Sequence, residues 1–403
     1  MIPKFVRKKF AGVHEPLGRW ILRHVLEFIV LSPAILVTWI WLKLRRKEIL
    51  IIGRLSSTIS LLISPLEPEL RRRKLVDGLM DRTIVLYLSS DANAHLRKMY
   101  DRVVTIYGDE AKLRRRLIWW ASHRFIDRLE PIEDQSDLMW VIAEPSIEFT
   151  DQEERVGEEF LRVHGLKKFE FICFTVRTES YYLARIAEGV LLKPQTLRNP
   201  NESVYLDVAN TLSNSDFKVL RMGKDLDSKL GQNHSQQLMD YATEYRSDFL
   251  DVYLLRYCKY LFSGNTGMVT VRWLWNLPNV TGDSYLIWRN QVSRDIFLLQ
   301  RVWKKQEKRF ATFTEMLNLH GYSEEKHQER LGVELVKNTA EEIKAVCDEM
   351  NARIDGTWVT TPEDEELQAR YQELIVKYSN RPDWNGKGRI GAQFLRDNQD
   401  LLR

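Results

Sequence analysis

The chain has 403 residues and a mass of 47.7 kDa, enough for two domains at roughly 100 to 200 residues each. With 44% hydrophobic and 29% charged residues, 19 Gly and 12 Pro, it is neither disordered, collagenous nor a polytopic membrane protein. Cys173, Cys258 and Cys347 are odd in number and far apart, which excludes a disulfide framework and a CxxC zinc site and suits a reducing cytosolic setting.

The net charge of +4 is uneven. Residues 1–50 hold ten Lys/Arg against three Asp/Glu, or +7, so the remaining 353 residues carry −3. A nucleic-acid binder would spread basicity over a folded face, so no nucleic-acid partner is expected.

The first element is apolar. Ile21 to Leu42 reads ILRHVLEFIVLSPAILVTWIWL, with fifteen uninterrupted apolar-type residues from Phe28, short of the roughly 20 that span a bilayer. Arg7, Lys8 and Lys9 precede it, and Lys43, Arg45, Arg46 and Lys47 follow. Trp20, Trp39 and Trp41 lie near the ends. This pattern predicts an interfacial or re-entrant anchor on an anionic cytoplasmic leaflet; the plainer alternative is a helix packed on the body. Pro33 should kink either one.

KEILII at 47–52, followed by GRL and SST, predicts a strand, a turn and a helix start. Thr83–Leu88 predicts a second strand, Asn93–Asp101 a helix, Val103–Tyr107 a third strand and Ala111–Arg128 an amphipathic helix. Such alternation indicates a parallel sheet. Pro131 to about Lys168 breaks the rhythm and marks a junction, and Lys168–Val176 restarts it with a strand. Ser203–Ser213 predicts a helix, Phe217–Arg221 a strand, Leu238–Tyr241 a short extended piece, Asp248–Arg256 a helix and Lys259–Ser263 a strand. Another helix should start after Ser263-Gly264-Asn265-Thr266-Gly267 and end near Asn276. From Thr314 the chain reads as helical and charged, as at Ala340–Ile354, and then as a polar tail of low structural content.

Two such halves place a ligand beyond the carboxyl ends of the strands. Arg177 and Thr178 follow the strand at 168–176, where the guanidinium suits a diphosphate or, equally, a surface ion pair. The small residues Ser263 to Gly267 would admit an anion at a helix N-terminus or simply form a turn. Arg221, Gly223 and Lys224 form a second cationic turn, open to phosphate or to solvent. Asp225-Leu226-Asp227 has the DxD form of a nucleotide-bound metal site, which also arises by chance. Asp240, Asp248 and Asp251 are candidates for a general base, with helix capping the competing role of Asp248 and Asp251. The eight histidines form no HxH or HExxH array, and no GxSxG elbow or kinase motif set is present.

ICFTVRTESYY, RNPNESVYLDVANTL, FKVLRMGK, MDYATEYRSDFLDVYLL and LFSGNTGM, with VKNTAEEIKAVCDEMNARIDGTW and GRIGAQFLRDNQDLL further on, resemble a family of bacterial glycosyltransferases, distantly similar to GT-B fucosyltransferases. The resemblance implies a nucleotide-diphospho-sugar donor held by the C-terminal half, with Arg177 near its phosphates and Arg221 and the SGNTG loop completing the grip. Where the family pattern has a glycine-histidine pair after the first strand, this chain has Arg54-Leu55-Ser56-Ser57.

Together these features predict an α/β fold of GT-B type, with two Rossmann-like domains facing a cleft, an N-terminal apolar helix and a helical C-terminal extension. The expected divisions are a membrane-associating segment at 1–46, an acceptor domain at 47–165, a donor domain at 166–310 and the extension at 311–403. The expected donor-site residues are Arg177, Thr178, Arg221, Gly223, Lys224, Tyr241, Ser263, Gly264, Asn265, Thr266 and Gly267. The catalytic candidates are Arg177, Asp240, Asp248 and Asp251. No metal and no cofactor beyond the nucleotide-sugar co-substrate is expected. The expected function is hexosyl transfer to a glycan or lipid-linked acceptor at the cytoplasmic face of the inner membrane. The alternative is a non-catalytic glycan- or protein-binding member of the same fold.

Overall fold

The computed structural model describes residues 17–52, 58–76, 78–87, 92–122, 126–129, 139–140, 143–187, 199–215, 217–224, 226, 228–231, 234–285, 294–319, 325–379 and 388–403. The basic residues Arg7, Lys8 and Lys9, the Arg54 to Ser57 segment and the two aspartates of the DxD lie outside them.

The first half contains α1 (Leu17–Leu44), β1 (Glu48–Ile52), α2 (Ile59–Lys74), α3 (Leu79–Arg82), β2 (Thr83–Tyr87), α4 (Ala94–Asp101), β3 (Thr105–Tyr107), α5 (Lys112–Ala121) and β4 (Ile126–Leu129). Its four strands form a parallel sheet in the order β3-β2-β1-β4. The helix expected over Ala111–Arg128 ends at Ala121, and its last residues form β4 beside β1. A parallel ladder can take a short IDRL segment on an edge regardless of helical periodicity.

Strand side chains alternate between faces, and both faces of this sheet are covered. Ile49, Ile51, Ile84 and Leu86 pack with Ile35 and Leu42 of α1 and with Ile118 and Ala121 of α5. Leu50, Val85 and Tyr87 point the other way, among Leu62, Ile63 and Leu66 of α2 and Leu96 and Met99 of α4. Two-sided burial explains why EILII and TIVLY are nearly continuous apolar runs.

The second half contains α6 (Asp151–Val163), β5 (Ile172–Thr175), α7 (Glu179–Ala187), α8 (Glu202–Asn214), β6 (Val219–Arg221), β7 (Leu238–Met239), α9 (Tyr241–Glu244), α10 (Asp248–Tyr257), β8 (Leu261–Ser263), α11 (Val269–Trp273), β9 (Asn279–Ser284) and β10 (Ile296–Leu299). Then follow β11 (Arg301–Lys304), β12 (Arg309–Phe310), α12 (Phe313–Asn318), α13 (Glu325–Leu331), β13 (Val333–Val336), α14 (Ala340–Ile354), α15 (Pro362–Ser379), β14 (Arg389–Ile390) and α16 (Ala392–Asp397). Seven parallel strands run β14-β10-β9-β8-β5-β6-β7, and β12-β11-β13 form a small antiparallel sheet. Within the junction region residues 151–163 form a regular helix, and Thr150 and Glu153 close a capping box at its start.

The polar tail expected at the C-terminus is instead part of the body. Arg389–Ile390 pairs with Ile296–Phe297, and Ile390, Phe394, Leu395, Leu401 and Leu402 are buried in the core with β10. The extension expected to be helical therefore also contributes β13 and β14. A few well-spaced apolar residues suffice to bury a segment that is polar on average.

Both sheets reverse their winding. The chain passes from β5 to β6 and β7 on one side, then crosses to β8, β9 and β10 on the other; in the smaller sheet β4 lies opposite β2 and β3 across β1. Such a reversal opens a crevice at the carboxyl ends of the neighbouring strands.

Candidate functional site

A pocket lies in that crevice, where small ligands of such sheets bind. From the smaller sheet it is lined by Thr58, Ile59 and Ser60 at the start of α2 and by Ala92 and Asn93 before α4. The larger sheet contributes Thr175, Val176, Arg177, Thr178 and Tyr181 after β5, Gly223 and Lys224 after β6, and Thr266, Gly267 and Met268 after β8. Arg246 and Asp251 complete the wall.

The two sides meet closely. A Cβ on Gly267 would lie 3.1 Å from Ile59 Cγ2 and 3.2 Å from Ser60 Oγ, so glycine lets the β8 loop approach the N-terminus of α2. Gly223 has φ +156° and would bring a Cβ to 3.0 Å from Leu226. Asn93 caps α4 through Leu96 N at 2.8 Å and donates to Asp248 O at 2.9 Å, tying that edge of the pocket to α10.

Three cations line the pocket: Arg177, Lys224 and Arg246. The Arg177 guanidinium lies 5.6 Å from the centre of the Tyr181 ring, which gives its plane an aromatic support. Thr178 Oγ1 is 2.8 Å from Ser180 Oγ in the first turn of α7. Arg246 Nη2 reaches Asp248 Oδ1 and Asp251 Oδ2, each at 2.8 Å.

Asp251 is 5% exposed, and Tyr241 donates its hydroxyl to Asp251 Oδ1 at 2.9 Å. Burial pushes the Asp251 carboxyl up to about 6, against the charge of Arg246 and the Tyr241 hydrogen bond, with the negative charge of Asp248 adding to the rise. A carboxylate of this kind changes protonation near neutral pH, as proton transfer requires.

The structure separates the three candidate bases. Asp240 is turned inward: its Oδ2 accepts from Leu230 N at 2.9 Å and Thr243 Oγ1 at 2.7 Å. Asp248 Oδ2 accepts from Ala94 N at 2.8 Å, so it fastens α10 to α4. Only Asp251 of the three lines the pocket.

Arg221 is likewise not brought to the pocket. It is 3% exposed, donates to Glu202 Oε1 at 2.6 Å and Ser228 O at 2.9 Å, and lies 3.6 Å from Asp240 Oδ2. Tyr241 is fully buried and meets the site through its hydrogen bond to Asp251. Ser263, Gly264 and Asn265 are not among the pocket's lining residues: Ser263 ends β8, a Gly264 Cβ would lie 2.9 Å from Pro200 Cγ, and Asn265 donates to Asp283 O. Arg177, Thr178, Gly223, Lys224, Asp251, Thr266 and Gly267 do line it. Thr58, Ser60 and Asn93 join them from the other half, and Arg246 from the segment before α10. Arg246 had a sequence signal, an arginine just before a helix start that carries Asp248 and Asp251. Among the described residues no group of three or more His, Cys, Asp or Glu is placed to hold a metal ion.

No protein-family model matches the chain, and no curated protein does. Among solved structures it is similar to a glycosyl transferase family 9 protein from Veillonella parvula DSM 2008, with 13% identity, a TM-score of 0.41 and coverage of 63% of this chain and 86% of that one. It is also similar to E. coli heptosyltransferase WaaC with ADP, at 12% identity and a TM-score of 0.36 over 70% of this chain and 97% of that one. The same enzyme with ADP-2-deoxy-2-fluoro heptose gives 10%, 0.37, 62% and 92%.

Proposed function

We propose that this chain is a GT-B-type glycosyltransferase that moves a hexose-like sugar from a nucleotide-diphospho-sugar donor to a glycan or lipid-linked acceptor at the cytoplasmic membrane face. The observation that carries the reading is the set of Arg177, Lys224 and Arg246 lining a crevice at the carboxyl ends of two parallel sheets. The N-terminal turns of α2 and α7 border the same space, where backbone N–H groups favour an anion. The likeness of ICFTVRTESYY, FKVLRMGK and LFSGNTGM to glycosyltransferase segments points to the same chemistry.

In the proposed reaction, the sugar carbon leaves the diphosphate oxygen and bonds to an acceptor hydroxyl oxygen. Negative charge grows on the departing diphosphate, and Arg177 and Lys224 are placed to stabilise it without rearranging. The hydroxyl proton passes to Asp251, whose carboxylate is held by Arg246 and Tyr241 in one orientation. In this reading Arg221 and Asp240 hold the β6 edge rather than the ligand, and no metal or further cofactor is required.

The test is thermal unfolding of the wild type and Arg177→Ala against a panel of nucleoside diphosphates and nucleotide sugars. A ligand that binds only the folded chain raises its Tm by mass action. Stabilisation by one diphosphate, lost in the variant, is the expected result. A folded wild type that responds to none of them would overturn the proposal and favour the non-catalytic alternative.

A further inference from the structure

Helix α1 is apolar on two opposite sides, and among the described residues only one is covered by protein. Leu31, Ile35 and Leu42 face the smaller sheet and α5, and the Phe28 ring lies 5.3 Å from Trp120. The other side leaves Ile29 59%, Val30 75%, Leu36 57%, Val37 66% and Leu44 79% exposed. A surface helix of a water-soluble body normally turns polar residues outward, so this face lacks an apolar neighbour.

What covers it is indicated by the polar groups around it. Exposed Ser32 does not direct its hydroxyl outward but donates to Ile29 O at 2.8 Å, as half-buried Thr38 does to Ala34 O at 2.7 Å. This is how hydroxyls are satisfied on a helix facing hydrocarbon. At the C-terminal end, exposed Lys43, Arg45 and Arg46 form a cationic cluster, with Lys43 Nζ 4.3 Å from the Trp39 ring centre. Half-exposed indoles beside cations fit the headgroup zone. Helix α5, packed against α1, adds exposed Lys112, Leu113 and Arg114. No helix among the described residues is long and apolar enough to cross a membrane.

We infer that the outward face of α1 is a docking surface for an anionic lipid bilayer, on which the helix lies in the plane of the interface. The inference deepens the membrane-face part of the proposed function but needs neither donor nor transfer. It assigns the apolar face to acyl chains and the Lys43–Arg46 cluster to acidic headgroups.

The experiment is flotation of the full chain with vesicles of phosphatidylcholine alone or with 30% phosphatidylglycerol, in about 0.1 M salt, without nucleotide. The vesicles containing phosphatidylglycerol should bind at least tenfold more tightly, since each surface cation contributes about fivefold. Val30→Glu with Val37→Glu should lower binding to both vesicles at least tenfold. Lys43→Glu with Arg46→Glu should lower it at least 25-fold on the anionic vesicles and little on the neutral ones. All four positions are exposed, and unchanged urea midpoints would show that the variants fold. Equal binding to the two vesicle types, or unaltered binding by the Val30/Val37 variant, would overturn the inference. So would a dimer in sedimentation velocity that persists with vesicles present and is lost in that variant, because a second copy would then cover the face. Loss of vesicle binding with nucleotide-induced stabilisation intact would refute this surface alone and leave the transfer reading standing.

Discussion

Asp251 makes a prediction in which the pH dependence of folding reads out the site. Its carboxyl stands at about 6 in the folded chain, against an ordinary 3.8. Between those values the folded chain keeps a proton that the unfolded chain has released, so stability falls as pH rises from about 4 to about 6. The gap, at about 1.4 kcal/mol per pH unit, amounts to about 3 kcal/mol, fully developed above pH 6 and absent below pH 4. Asp251→Asn is nearly isosteric and keeps contacts to Arg246 and Tyr241 that do not titrate. Urea unfolding of both proteins from pH 4 to pH 8 cancels, in the difference, the ionisable groups that do not interact with Asp251. The variant should gain about 3 kcal/mol relative to wild type across that span, while transfer activity is lost. Destabilising charge retained in a pocket is characteristic of a site shaped for function. A difference in stability that stays constant from pH 4 to pH 8 would refute the argument, because Asp251 would then ionise alike in both states.

Three other outcomes are expected. Arg177→Ala should weaken nucleoside diphosphate binding about 10- to 100-fold by calorimetry on the folded variant, the loss of charge-assisted hydrogen bonds; a loss under threefold would remove Arg177 from the donor site. Arg221→Ala should do the reverse, destabilising the fold by about 3 kcal/mol because Asp240 and Glu202 lose their counter-charge, with diphosphate affinity of the folded protein retained. Unchanged stability with weakened binding would return Arg221 to the pocket. Gly157→Ala would place a Cβ 2.1 Å from Tyr253 Cζ, so α6 and α10 must separate; about 3 kcal/mol should be lost in chemical unfolding, and a variant as stable as wild type would contradict that packing.

Much of the fold is legible because both faces of each sheet are covered. In β5 Ile172 and Phe174 enter one core and Cys173 the other, and in β8 Phe262 and Leu261 divide in the same way. Strands of that kind announce themselves as unbroken apolar runs. β9 does not: Asn279–Ser284 reads NVTGDS, yet every residue is buried. Two of its polar groups find distant partners, with Asn279 donating to Asp295 at 3.0 Å and the Asp283 N–H to Asn338 Oδ1 at 2.7 Å, while the Thr281 and Ser284 hydroxyls are buried without a hydrogen bond among the described residues. No local period encodes such a strand. Its burial follows from its place between β8 and β10. β14 is harder still, being two residues that pair only after the chain has passed through α14 and α15.

The site divides along a similar line. Arg177 and Arg221 look alike in sequence, each an arginine closing an apolar run, but they differ in position relative to the ladder. Arg221 is the last paired residue of β6, opposite Phe174, so its side chain is committed to a face of the sheet and meets Glu202 and Asp240. Arg177 lies two residues beyond Thr175, the end of β5, and is therefore carried past the carboxyl edge into the crevice. Two residues of offset decide between holding the fold and holding a ligand, and the apolar runs do not show that offset because Val176 prolongs the first one past the end of β5. The residues from the smaller sheet, Thr58, Ser60 and Asn93, have no local signal of chemistry. They belong to the site because Gly267 lets the β8 loop approach α2 and because Asp248 ties α10 to the start of α4. The contacts that bring the halves together are thus also what completes the pocket, and a change at Asp248 should loosen the site without touching its ligand.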